Sequence, residues 1–185
     1  MRKLVASFFM SLDGVVEGPG PGDDFELAGW TMPYWDDDIG AFVQAGMQAS
    51  DALLLGRVTY QGFASAFATG TGPDAAIMNN FRKYVVSTTL KQANWSNSTL
   101  IKGNVTEEVA RLKQQPGRDI AISGSGTLVQ SLLPEGLIDE LNLLIYPVVL
   151  GRGKRLFRDG SNLTLKLKQS KTSSSGVLLL TYQLA

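Results

Sequence analysis

Three stretches of the chain place hydroxyls and glycines where an apolar run stops, and each could hold a phosphate. The first is ISGSGTLVQSLL (122–133), which follows the short run DIAIS. A strand ending here before a helix would offer free N–H groups from Ser123, Gly124, Ser125, Gly126 and Thr127. The helix dipole favours an anion at that position. Glycines admit a phosphate close to the backbone, and the Ser125 and Thr127 hydroxyls add donors. The pattern is not a Rossmann fingerprint, because Val129 stands where the third glycine or alanine belongs. It is not a Walker loop, because no Gly-Lys-Ser/Thr follows. A tight strand-to-helix turn also asks for small residues, so this motif alone leaves both readings open.

A second junction is DALLLGRVTYQGF (51–63), where a strand ends at Gly56 and a helix begins with Arg57, Val58 and Thr59. Its first-turn N–H groups and the Thr59 hydroxyl suit phosphate, and Arg57 can add charge-assisted bonds. An exposed arginine beside an ordinary cap is the plainer reading. The third site is Ser87-Thr88, closing KYVVST. In a mainly parallel sheet, all three strand ends fall on one edge, where ligands bind. Three such ends in a row describe a long phosphorylated ligand such as a dinucleotide.

Composition excludes several rival chemistries. With no histidine and no cysteine, the chain has no Ser-His-Asp triad, thiolate nucleophile, disulfide or cysteine-type zinc site. Lys plus Arg and Asp plus Glu both number 17, and the basic residues are scattered, so nucleic acid is a poor partner. Asp36-Asp37-Asp38 is the one acidic cluster, and it reads as a helix start rather than a metal site. MRKLVASFFMSL imitates a signal peptide, but Asp13-Gly14 arrives at once and no cleavage pattern follows. No apolar stretch approaches the roughly 20 residues that span a bilayer. The expectation is a soluble, cytoplasmic protein.

The elements that must position these residues alternate. KLVASFFM (3–10) is a buried strand, and the glycine- and proline-rich LDGVVEGPGPGDD after it is a long loop. Ile39, Phe42, Val43 and Met47 recur at helical spacing between Asp36 and Ser50. Further helices follow Gly56 and Pro73, and strands are expected at 83–88 and 98–101. Asn104 with Glu107 resembles a capping box for a helix buried through Val105, Val109 and Leu112. ELNLLIYPVVL (140–150) reads as one long strand. LTLKLK (163–168) alternates strictly, as a half-exposed antiparallel strand does, and VLLLTYQL (177–184) closes a hairpin. The expected fold is α/β in one domain, 1–185, with a mainly parallel central sheet, helices on both faces and an antiparallel C-terminal hairpin.

The order SLDGVVEG, LLLGRVTYQGF, VVSTTL, ISGSGTLVQSLL and DELNLLIYPVVLGRGKRLF resembles the reductase domain of riboflavin biosynthesis (the RibD C-terminal domain), which shares the dihydrofolate reductase fold. The resemblance implies an NADPH-dependent reductase. Gly56, Arg57, Val58 and Thr59 would hold the pyrophosphate and the adenosine 2′-phosphate. Ser87 and Thr88 would lie beside the adenine ribose, and the backbone of Ser123 to Leu128 would cradle the pyrophosphate near the nicotinamide. Ser11, Leu12, Asp13 and Gly14 would line the nicotinamide and substrate pocket. Asp13 is either a carboxylate that binds substrate or relays a proton through water, or the acid of a common Asp-Gly turn.

The substrate side departs from the family. No arginine or lysine lies between Lys3 and Arg57, so only Arg152 or Lys154 could meet a substrate phosphate. Asp38 is a stand-in for the carboxylate with which dihydrofolate reductases grip a pterin. Trp35, with Trp30 and Tyr34, would be an aromatic floor for a flat heterocycle, or else core or dimer contact. The nearest named activity is 5-amino-6-(5-phosphoribosylamino)uracil reduction. The alternatives are a pterin reductase and a nucleotide-binding module without catalysis. The resemblance and the apolar C-terminal strands also point to a homodimer.

Overall fold

A computed structural model describes residues 1–184. Its elements in chain order are β1 (Leu4–Ser11), α1 (Asp37–Ala49), β2 (Ser50–Gly56), α2 (Arg57–Phe67), α3 (Pro73–Asn80), β3 (Arg82–Val86), β4 (Ser98–Ile101), α4 (Val105–Gln114), β5 (Asp119–Ser123), α5 (Gly126–Leu132), β6 (Glu140–Tyr146), β7 (Leu165–Thr172) and β8 (Leu178–Leu184). The eight strands form one sheet in the order β4-β3-β2-β5-β1-β6-β8-β7. The first six in that order run parallel, while β8 pairs antiparallel with both β6 and β7. This is the expected α/β architecture.

The pattern of side chains explains the sheet. Leu53, Leu54 and Leu55 of β2 are all buried, because a parallel strand is covered on both faces and reads as a continuous apolar run. Leu54 joins the cluster under α4 and α5, and Leu53 and Leu55 join the one under α2 and α3. A third cluster packs Ile39 of α1 against Leu144, Tyr146 and Leu179. Helices therefore cover both faces. The start of α1 is capped by Asp36, whose carboxylate accepts the Ile39 N–H at 2.9 Å. Asn104 caps α4 by accepting the Glu107 N–H at 3.4 Å, the forward half of the expected box.

Three boundaries differ from expectation. β6 stops at Tyr146 instead of running to residue 150, since Pro147 has no N–H for the ladder. β3 stops at Val86, where Ser87 turns the chain by accepting the Thr89 and Leu90 N–H groups at 3.2 and 3.0 Å. β7 begins two residues later than expected and runs to Thr172, with a register shift between Leu167 and Gln169. An extra residue in one strand of an antiparallel pair accounts for such a shift.

Candidate active site: a double strand-to-helix junction

The sheet order places the junctions side by side. From β2 the chain moves outward to β3 and β4, then returns with β5 between β2 and β1. Gly56, Ser123 and Ser11 therefore end three adjacent strands at the point where the order reverses, the usual place for a ligand in an open α/β sheet.

Two hydrogen bonds lock the α2 and α5 junctions together. The Gly56 N–H donates to Ser125 Oγ at 3.0 Å, and the Ser125 N–H donates to Thr59 Oγ1 at 3.1 Å. Ser125 is held in the left-handed region at φ 56°, and Gly124 before it sits at φ +66°. A Cβ on Gly124 would also lie 3.3 Å from Thr59 Cγ2, so the position needs glycine for both conformation and space. The Ser125 side chain thus fastens the fold instead of standing spare. Neither helix has a side-chain cap. The first-turn N–H groups of Arg57, Val58, Gly126, Thr127 and Leu128 are left for an outside acceptor. Arg57 and Val58 are exposed, and among the described residues the Arg57 guanidinium donates only to Gln61 of its own helix, at 3.1 Å.

One strand further out, the Ser87 N–H donates to Ile101 O at 3.1 Å. This aligns the β3 and β4 ends, leaves Thr88 exposed and brings exposed Lys102 beside them. Lys102 was not read from the sequence. Its signal was a basic residue directly after the short strand STLI.

On the other flank, the loop after β1 is knitted to the loop after β6. Val15 and Arg155 form a bridge, the Leu12 N–H donates to Val148 O at 2.8 Å, and the Val16 N–H donates to Lys154 O at 2.9 Å. Gly153, at φ +110°, passes so close that a Cβ would lie 2.6 Å from Val15 Cγ1. Asp13 fastens this double loop. Its carboxylate accepts from Ser11 Oγ at 2.7 Å and from the Leu150 and Gly151 N–H groups at 3.1 and 2.8 Å. The Ser11 hydroxyl and these N–H groups outweigh desolvation and hold the carboxyl at about 2. At neutral pH Asp13 is an acceptor, with no proton to give. Gly14, at φ +84°, makes the turn.

The remaining candidates do not converge there. Arg152 pairs with Glu26 at 2.7 Å and Lys154 with Glu17 at 2.5 Å, so both cations already have acids. Asp38 accepts from Lys171 Nζ at 2.5 Å and from Ser174 N and Oγ at 3.1 and 2.9 Å. It anchors the β7–β8 turn, beyond β6 from Ser11. Trp30 and Tyr34 pack edge-on against Tyr146, with ring centroids 5.3 and 5.9 Å away. They belong to the core. Trp35 is half exposed, lies edge-on to Phe9 at 6.2 Å and is the member of the trio open to a ligand. Among the described residues, no three acidic side chains approach closely enough to hold a metal, and no helix is long and apolar enough to cross a membrane.

A mainly parallel sheet with an antiparallel end and paired strand-to-helix junctions at its reversal point defines a dihydrofolate-reductase-like protein. The chain belongs to the RibD C-terminal domain family, whose profile matches residues 2–179. It is 32% identical to uncharacterized protein YyaP of Bacillus subtilis (strain 168), over 98% of this chain and 94% of that one. A Shewanella sp. PV-4 protein assigned provisionally to riboflavin biosynthesis shares the fold with a TM-score of 0.71 at 22% identity, each chain being 99% covered. Dihydrofolate reductase from Enterococcus faecalis, solved with NADP(H), superposes with a TM-score of 0.62 at 18% identity, with 98% and 96% coverage.

Proposed function

We propose that the protein is an NADPH-dependent oxidoreductase that reduces a C=N or C=O group of a small heterocycle. The observation that carries this reading is the interlocked pair of helix starts joined through Gly56, Thr59 and Ser125. The first-turn N–H groups fit a pyrophosphate, and a Cβ on Gly124 would crowd the Thr59 side chain that joins the two helix starts. Arg57, with Thr88 and Lys102 on the next strand ends, would meet the adenosine 2′-phosphate, and Gly126 to Leu128 would lie toward the nicotinamide. Bound NADPH supplies hydride.

The chain's own part is placement and electrostatics. Asp13 holds the double loop beside the β1 end, and its ionised carboxylate favours cationic or donor-rich groups nearby. Trp35 and Phe9 offer apolar surface to a flat ring. Proton delivery falls to water, since Asp13 stays ionised. The nearest named activity is reduction of 5-amino-6-(5-phosphoribosylamino)uracil. Arg152 and Lys154 are paired with Glu26 and Glu17, and Arg155 donates to the Asp13 carbonyl at 2.9 Å, so the cations of the double loop are engaged with its own acids and backbone. This favours a heterocycle without a phosphate, so a pterin-like substrate is the second reading. We take the protein to act as one domain, in the cytoplasm, as a homodimer.

Titration with NADPH and NADH, followed by nicotinamide fluorescence, tests the cofactor. Arg57→Ala is expected to weaken NADPH about tenfold, the scale of one lost charge-assisted contact, and to leave NADH nearly unchanged. If neither nucleotide binds the parent protein, the reductase reading falls.

A further inference from the structure

We propose that Ser7 of β1 selects the heterocycle, donating its hydroxyl hydrogen to an acceptor on the ring's edge, a carbonyl oxygen or a ring nitrogen. The proposal rests on the reductase reading above and assigns one substrate contact within it. The strand registers set four polar side chains in a single row across adjacent strands: Ser123 of β5, Ser7 of β1, Asn142 of β6 and Thr181 of β8. The residue before each of them packs in the cluster under α4 and α5, so all four point to the opposite face. On that face the row runs between two apolar clusters, one under α2 and α3 and the other under α1. Asn142 and Thr181 are only 9% and 8% exposed, and polar groups so deeply placed require partners.

The bonds along the row run in one direction. Thr181 Oγ1 donates to Asn142 Oδ1 at 2.9 Å, and Asn142 Nδ2 donates to Ser7 Oγ at 3.3 Å. With its oxygen taken, the amide has only N–H to offer Ser7. Ser7 therefore receives a bond and keeps its own hydrogen, and a hydroxyl that accepts is a stronger donor. Among the described residues no acceptor meets that hydrogen, and Ser7 is half-buried, with part of its surface open. The opening lies toward the candidate site. β5 ends at Ser123, level with Ser7, whereas β1 continues to Ser11. Beyond Ser7 the β1 face loses its β5 neighbour, beside the Gly124–Gly126 junction. Phe9 is next on that face, about 7 Å along the strand, and Trp35 meets it edge-on at 6.2 Å. Ser11, next again, is spent on Asp13. A flat ring resting on Phe9 brings one edge to Ser7. A carbonyl or ring nitrogen there satisfies the hydroxyl, whereas an amino group sets donor against donor.

Isothermal titration calorimetry at neutral pH tests the assignment, with pteridine-2,4-dione and 2,4-diaminopteridine as probes, each with and without NADP+. The two rings share a shape and exchange carbonyl acceptors for amino donors. The parent is expected to bind the dione about tenfold more tightly, the scale of one neutral hydrogen bond. Ser7→Ala should abolish that preference, and Ser7→Thr, which keeps the hydroxyl, should retain it. Asn142→Leu should cut it to about threefold, half the free energy, because a hydroxyl without its relay is free to turn away. Loss of packing alone would weaken both probes equally. A parent that binds neither pteridine or shows no preference, or a preference that survives in Ser7→Ala, overturns the assignment. With NADP+ still bound, the reductase reading then stands. If no nicotinamide nucleotide binds while the dione preference follows Ser7, the contact stands and the reductase reading falls.

Discussion

Tyr146 is completely buried, and three aromatic rings meet it edge-on. Its hydroxyl has no partner among the described residues, and burial, with the charge of Asp36 nearby, pushes the phenol well above its usual range. A buried hydroxyl without a partner costs about 1 kcal/mol or more. Tyr146→Phe is therefore expected to raise the melting temperature, by the equivalent of about 1 kcal/mol. A clear fall in a calorimetric scan would mean that the hydroxyl contributes to the native fold. Gly124 presents the opposite case. Its φ of +66° and the nearby Thr59 methyl predict that Gly124→Ala loses about 1–2 kcal/mol of stability. It should lose NADPH affinity with it, read by urea titration and nicotinamide fluorescence on the same sample. The sequence marks Gly124 as a junction glycine but not the Thr59 methyl beside it, and it gives no sign of the rings around Tyr146, because a residue reads the same whether or not a distant neighbour arrives.

Among the elements, the α2–α3–β3 corner is held by a cation. Lys83 at the start of β3 has no exposed surface, and its ammonium donates to the carbonyls of Phe81, Ser96 and Asn79 at 2.7, 3.1 and 3.3 Å. It also sits 4.3 Å from the Trp95 ring centre, a favourable cation–π distance. Burial lowers its pKa to about 8, so it remains mostly charged at neutral pH. Tyr60 of α2 accepts the Trp95 backbone N–H at 2.9 Å, which ties the corner to the helix that starts at the Gly56 junction. Lys83→Met strands these carbonyls and is expected to cost about 2 kcal/mol in urea unfolding. Indole emission should shift to the red as Trp95 loosens. An unchanged midpoint would show that packing alone holds the corner. In the sequence, KYVVST read as a strand ending in Ser87-Thr88, and nothing local set Lys83 apart.

For the whole molecule, acid is the revealing variable. Asp13 joins the loops after β1 and β6, and Asp36 joins α1 to the β7–β8 turn. Both are held at about 2 by hydrogen bonds, from Ser11 first in one case and the Ile39 N–H first in the other. The ordinary aspartate value is 3.8, so the folded state keeps these groups ionised at pH values where the unfolded chain takes up protons. The stabilisation is fully present above about pH 4 and is lost as pH falls toward 2. Asp13→Asn is expected to flatten that acid limb in melting curves taken from pH 6 to 2. If the parent and variant curves stay parallel, Asp13 holds no proton-linked stability.

Much of this was legible in advance, for a local reason. Whether a strand is covered on both sides or one shows directly as a continuous run, as in Leu53-Leu54-Leu55, or as the alternation of LTLKLK. Where a strand yields to a helix shows as Gly56-Arg57 or Gly124-Ser125-Gly126. Those cues lie within a few residues of each other, so the sequence by itself determined the elements, their mainly parallel order with an antiparallel end, and the edge where the strand-to-helix junctions gather. What only the tertiary structure decided is which of the candidate groups are already spent. Ser125 closes on Gly56 and Thr59, Arg152 and Lys154 on Glu26 and Glu17, Asp13 on Leu150 and Gly151, and Asp38 on Lys171. Each partner stands some 60 to 140 positions away in the chain. A hydrogen bond acts over about 3 Å of space, and separation along the chain does not reveal it.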